Sequence, residues 1–150
     1  MHRIFVFLFT LCFWGANASG QTIADPFRVV FGPTQVEGAS SAEMEIRIVV
    51  PEGHHIYRDM VRVTVLDADG LSLGPPELPP GLERPDPASP GVMRELYPFD
   101  IVIAVPVEAP PEDGVHDPLL EVEYQGCRTG LCYAPVVRRV SPLVLVGAAT

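Results

Sequence analysis

Lysine is absent from this sequence: all ten basic residues are arginines, set against 19 Asp and Glu for a formal net charge of −9. An acidic chain without a basic cluster offers nothing for a phosphate backbone or an anionic lipid surface, so nucleic acid is excluded as a partner. Charge of either sign is scarce, at 19% of residues, too little for a charge-driven disordered chain. Room for helices is scarce as well. The 150 residues carry 17 prolines and 13 glycines, which rules out a coiled coil or any long helix. Neither a Gly-x-Ser-x-Gly elbow nor a phosphate-binding loop occurs. Past the N-terminus no apolar run approaches the ~20 residues of a membrane span, so stable membrane insertion is not expected. Cysteine is limited to three positions.

Apolar residues are nonetheless plentiful, at 47%, and the length suits one domain with a sizeable core. The first stretch lies outside that domain. His2 and Arg3 precede an apolar run from Ile4 to Trp14, and Ala16-Asn17-Ala18 then places small residues where a signal peptidase needs them. Residues 1–18 read as a secretory signal, with cleavage after Gly20 as the alternative, leaving 19–150 as an exported domain. Cys12 does not mark a lipid anchor, because bulky Leu11 stands before it. Once the signal is removed, Cys127 and Cys132 remain. An exported domain with one close pair is expected to hold it as a disulfide.

Between the prolines the sequence alternates. Met44, Ile46, Ile48 and Val50 share one face of a run over 42–50; Val61, Val63 and Val65 one face of a second; Leu120, Val122 and Tyr124 one face of a third. A long run over 95–107 places Tyr97, Phe99, Ile101, Ile103 and Val105 together. Phe27–Phe31 is expected as an edge strand and Leu71–Leu73 as a short one, while Gly74–Gly91, rich in proline, shows no strand pattern. About seven to nine short strands with turns between them, and no helical period, predict an all-β fold, an immunoglobulin-like β-sandwich.

The chemistry-bearing stretch is Tyr124-Gln125-Gly126-Cys127-Arg128-Thr129-Gly130-Leu131-Cys132-Tyr133-Ala134-Pro135. Four residues separate the cysteines, and Gly130 can supply the positive φ of a tight connection. Paired flanks would bring the cysteines face to face, close enough to bond. So short a loop contributes only ~2 kcal/mol as a staple, which suits a bond that opens and closes, although spacing alone leaves bracing and exchange both open. His54 and His55 are adjacent and would point to opposite faces of a strand, and no zinc-ligand spacing appears, so no metal is expected.

Several of these segments resemble one family, the N-terminal periplasmic domain of the thiol:disulfide interchange protein DsbD. Tyr124-Gln125-Gly126-Cys127 with Gly130-Leu131-Cys132-Tyr133 and Pro135 looks like its active-site segment, and Glu52-Gly53-His54-His55-Ile56-Tyr57-Arg58 like its aromatic strand. Leu78-Pro79-Pro80-Gly81 and Glu95-Leu96-Tyr97 resemble two further pieces in the right order, so that the likeness runs from Phe27 to Leu143. The resemblance implies an immunoglobulin-like domain that relays reducing equivalents without a cofactor. A membrane electron carrier on a separate chain, or a thioredoxin-like donor, would supply them. Thioredoxin-like periplasmic proteins of the disulfide-isomerase or cytochrome c maturation type would receive them. It also implies Cys132 as the exchanging thiol and Cys127 as the resolving one, with Tyr57 and His55 lining the site; Tyr133 and Tyr124, beside the cysteine pair in the sequence, are expected to line it too. The spacing between the cysteines is one residue shorter than the family's usual spacing, and Arg84–Gly91 holds no aromatic residue to cap the disulfide. The expectation is a protein-disulfide reductase component acting in the periplasm as a stand-alone chain. The alternative is a non-enzymatic binding or assembly domain braced by its disulfide.

Overall fold

The computed structural model describes residues 23–86 and 89–147; the expected signal sequence lies outside them. Fifteen short strands follow in order: β1 Arg28–Phe31, β2 Thr34–Val36, β3 Ser41–Val49, β4 His54–Tyr57, β5 Arg62–Asp67, β6 Ser72–Leu73, β7 Leu82–Pro85, β8 Met93–Tyr97, β9 Ile101–Glu108, β10 Gly114–His116, β11 Leu119–Tyr124, β12 Gly126–Arg128, β13 Leu131–Cys132, β14 Val136–Val140 and β15 Val144–Val146. A single 3-10 turn, Arg58–Met60, is the only helical element among the described residues.

Two antiparallel layers face each other. One has the order β1-β3-β9-β6; the other is β14-β11-β5. Their inner faces are the alternating positions legible in the sequence. Met44, Ile46 and Ile48 of β3, Ile101, Ile103, Val105 and Val107 of β9, and Leu120, Val122 and Tyr124 of β11 are all buried in one cluster. Alternation places every second side chain inward, and each aliphatic residue removed from water contributes roughly 1.5–3 kcal/mol. A small sheet of order β10-β15-β2, with β15 and β2 parallel, closes the sandwich. The architecture is the expected all-β, immunoglobulin-like sandwich. The strand number exceeds the expected seven to nine because the chain breaks its longer runs and changes partners.

A fourth sheet, β13-β12-β4-β8-β7, carries the cysteines. It extends the second layer, since β11 runs into β12 across Gln125, and β4 into β5 across the 3-10 turn. Two expectations are corrected here. The proline-rich stretch 74–91 is not strandless: β7 pairs with β8 from Leu82↔Leu96 to Pro85↔Met93, and Glu77 bridges Ala104. All four β7 residues are exposed, so no apolar alternation announces the strand, and its edge position tolerates Pro85. Nor is 95–107 one strand. Pro98-Phe99-Asp100 separates β8, in the cysteine sheet, from β9, in the first layer, which leaves Phe99 40% exposed.

Candidate redox site

β12 and β13 form a hairpin closed by Thr129 and Gly130. Its register sets Cys127 opposite Cys132 and Arg128 opposite Leu131. Gly130 has φ +74°, the left-handed conformation that lets two residues reverse the chain. Cys127 and Cys132 are bonded, with their Cα atoms 4.0 Å apart. The Tyr133 amide donates to the Gly126 carbonyl at 2.9 Å and holds the returning strand. On its other side β12 pairs with β4, setting Gly126 opposite Ile56 and Cys127 opposite His55. Gly126 is required by crowding: a Cβ there would lie 2.1 Å from the ring of Phe27.

Strand alternation then divides the neighbourhood into two faces. Towards the main core lie Ile56, Tyr97 and Phe27. The Phe27 ring meets His54, Tyr124 and Tyr133 edge-on at centroid distances of 5.7–5.9 Å. The opposite face carries His55, Tyr57, Leu96 and Cys127; the last three form a small apolar cluster of their own. Cys127 is 1% exposed, whereas Cys132, on the edge strand β13, is exposed. The two sulfurs of one bond therefore differ in what can reach them.

A charged network stands beside the buried sulfur. The Tyr57 hydroxyl donates to Asp86 Oδ1 at 2.7 Å, and Asp86, the first residue after β7, is buried. The Asp86 amide donates to the Val92 carbonyl at 2.7 Å, which continues the β7–β8 pairing one step beyond Pro85↔Met93. Arg94 lies 3.9 Å above the Tyr57 ring, 3.8 Å from Asp86 Oδ2, and donates to both Asp59 oxygens at 2.6 Å. Burial first, and the hydrogen bond to Asp86 second, push the Tyr57 hydroxyl up to about 12. Burial also lowers the pKa of His55; Asp86 opposes that shift and His54 adds to it. The separate family-like pieces of the sequence meet one another. Glu95 accepts from the Gly81 amide at 2.6 Å and pairs with Arg58 at 3.3 Å, while the Tyr97 hydroxyl donates to the Pro79 carbonyl at 2.6 Å.

Of the residues expected at the site, the structure brings together Cys127, Cys132, His55 and Tyr57. It turns the other two tyrosines away. Tyr133 stacks on His54 with its hydroxyl 3.0 Å from Nε2, and the Tyr124 hydroxyl donates to Asp25 at 2.6 Å. The reason is alternation: each neighbours a position of the cysteine hairpin, but on the core side of the sheet. Sequence reasoning missed Asp86, Arg94 and Leu96. Asp86 sits between two prolines in a stretch without periodicity, and its importance arises only where β7 pairs with β8. Among the described residues no group of three or more His, Cys, Asp or Glu could hold a metal ion. No helix among them is long and apolar enough to cross a membrane.

The chemistry open to such a pair, one cysteine buried among packed side chains and the other exposed at a sheet edge, is thiol:disulfide interchange on an immunoglobulin-like scaffold. The family model of the N-terminal region of the thiol:disulfide interchange protein DsbD matches residues 27–143, and the chain belongs to that family. Among solved structures, the reduced DsbD N-terminal domain of Neisseria meningitidis is similar. It has 24% identity and a TM-score of 0.51, over 69% of this chain and 78% of that one. The DsbD N-terminal domain in complex with the PilB N-terminal domain, from the same organism, is similar at 24% identity and TM-score 0.51, over 66% and 73%. These two likenesses speak for the fold. Among curated protein sequences none matches significantly.

Proposed function

We propose that this protein relays reducing equivalents in the periplasm by exchanging the Cys127–Cys132 disulfide with thioredoxin-like proteins. Cys132 forms the mixed disulfide and Cys127 resolves it. The observation that carries this reading is the difference in exposure: Cys132 is open at a sheet edge and Cys127 is 1% exposed. Exchange requires a thiolate to approach a sulfur in line with the bond it breaks, and only Cys132 offers that approach. When the reduced domain meets an oxidised partner, the Cys132 thiolate attacks a partner sulfur. Cys127 then attacks Cys132 Sγ, and the partner leaves with both electrons. The described solved complex of a family member with another protein's domain supports a protein client. A membrane electron carrier on a separate chain, or a thioredoxin-like donor, restores the dithiol. Export follows from residues 1–18, cleaved after Ala18.

Cys127→Ser should trap a covalent complex between Cys132 and a thioredoxin-like protein, resolvable by dithiothreitol on a gel; Cys132→Ser should trap little. Trapping through Cys127 alone, or equally through both, would reverse the assignment. No trapping from either variant would favour a bracing disulfide in a binding domain.

A further inference from the structure

Among the described residues one buried side-chain polar atom lacks a hydrogen-bond partner: Nε2 of His55. His55 is 8% exposed, so its ring is largely shut off from bulk solvent. Interiors rarely tolerate such an atom without a reason. The groups around it are already engaged. The Tyr57 ring meets the imidazole edge-on at 5.3 Å, but its hydroxyl is committed to Asp86. Arg94, the cation facing this side from β8, is committed to Asp59 and Asp86. Leu96 is apolar. Arg128 of β12 neighbours Cys127 and so projects from the other side of the sheet. His54, next in sequence, turns to Tyr133.

What stands across from His55 is Cys127, its partner in the β4–β12 register. Directly opposed residues of an antiparallel pair project from the same face with Cβ atoms ~4.5–5.5 Å apart. In the disulfide, the Cys127 sulfur has no proton to give. Opening the bond creates either a thiol that donates or a thiolate that accepts.

We propose that His55 is the proton partner of Cys127, idle while the disulfide is closed and engaged when it opens. This rests on the exchange reading and adds to it the fate of the proton. During resolution the Cys127 S–H proton passes to Nε2, and the sulfur's electron pair forms the bond to Cys132 Sγ. The bond from Cys132 to the partner sulfur breaks, and that sulfur leaves as a thiolate with the bonding pair. The cysteine pair loses two electrons and the partner gains two. The imidazolium then gives its proton to the departing thiolate or to water. Burial favours the neutral imidazole, which is the form able to accept.

The test needs no biological partner. In the Cys132→Ser variant, thiolate absorbance near 240 nm reports Cys127 alone. Replacing His55 by Phe in that background should raise the Cys127 pKa by at least about one pH unit, and by Gln somewhat less. With both cysteines present and reduced, Ellman's reagent should release two chromophores in sequence, the first by attack of Cys132 and the second by resolution through Cys127. His55→Phe should leave the first phase unchanged and slow the second about tenfold or more at neutral pH. His55→Gln can donate to a thiolate but cannot take a proton, so it should slow the second phase too, and it serves if the Phe variant fails to fold. Unchanged titration and an unchanged second phase in a folded variant would overturn the proposal. Failure of the Cys127→Ser variant to trap any thioredoxin-like protein would instead overturn the exchange reading, because the titration and the second phase do not depend on such a partner.

Discussion

Tyr57 joins the sulfur chemistry to the proline-rich segment. Its ring packs with Cys127 and Leu96, and its hydroxyl anchors Asp86, which ties down the β7–β8 connection. Arg94 covers the same ring and pairs with the same carboxylate. Removing the hydroxyl takes a donor from a buried carboxylate. Tyr57→Phe should therefore lower unfolding stability by about 1.5–3 kcal/mol at pH 7, measured by urea titration. The pH dependence has a defined sign. The folded-state pKa of Tyr57, about 12, lies above the 10.0 of a free tyrosine. The hydroxyl thus contributes its full stability below pH 10 and loses it as pH rises towards 12. The gap in stability between wild type and Tyr57→Phe should narrow across that interval. A constant gap would mean that the Tyr57–Asp86 bond does not couple to the titration.

At the scale of elements, the cysteine hairpin is held from beneath as well as by its own bond. Phe27 lies against Gly126 and is itself wedged among His54, Tyr124 and Tyr133. Asp25, just ahead of it, accepts from the Phe27 amide at 3.1 Å and from the Tyr124 hydroxyl at 2.6 Å, so the ring has little freedom to yield. Gly126→Ala should cost roughly 1–3 kcal/mol, as expected of an overpacked core site. Phe27→Ala should cost about 3–5 kcal/mol. The double variant should be distinctly less destabilised than the sum, because removing the ring removes the clash. Strict additivity in thermal melts would show that the two residues do not press on one another. The hairpin and its cysteine pairing were legible in the sequence through Gly130 and the four-residue spacing. Phe27 under Gly126 was not: a contact between residues 99 positions apart leaves no local signal.

For the whole molecule, the main core belongs to the two facing layers, and Cys127 belongs to a separate small cluster. Closing so short a loop adds only ~2 kcal/mol, against a typical domain stability of 5–15 kcal/mol. Reduced protein should keep its β-sheet circular dichroism and melt cooperatively at a somewhat lower temperature. Unfolding on reduction would point to a brace rather than a carrier. The sandwich was legible without any coordinates, because alternation along β3, β9 and β11 is a local property that settles which side chains must turn inward. The sequence also singled out the cysteine pair. Which residues keep that pair company depends on strand pairings far apart in the chain. Long pairings brought Asp86, Arg94 and Leu96 to Tyr57, set His55 opposite Cys127, and turned Tyr124 and Tyr133 to the other face. Periodicity says that a side chain faces inward or outward, but not what lies across from it. That is set by which strands become neighbours, and the energy deciding it is spread over the whole core.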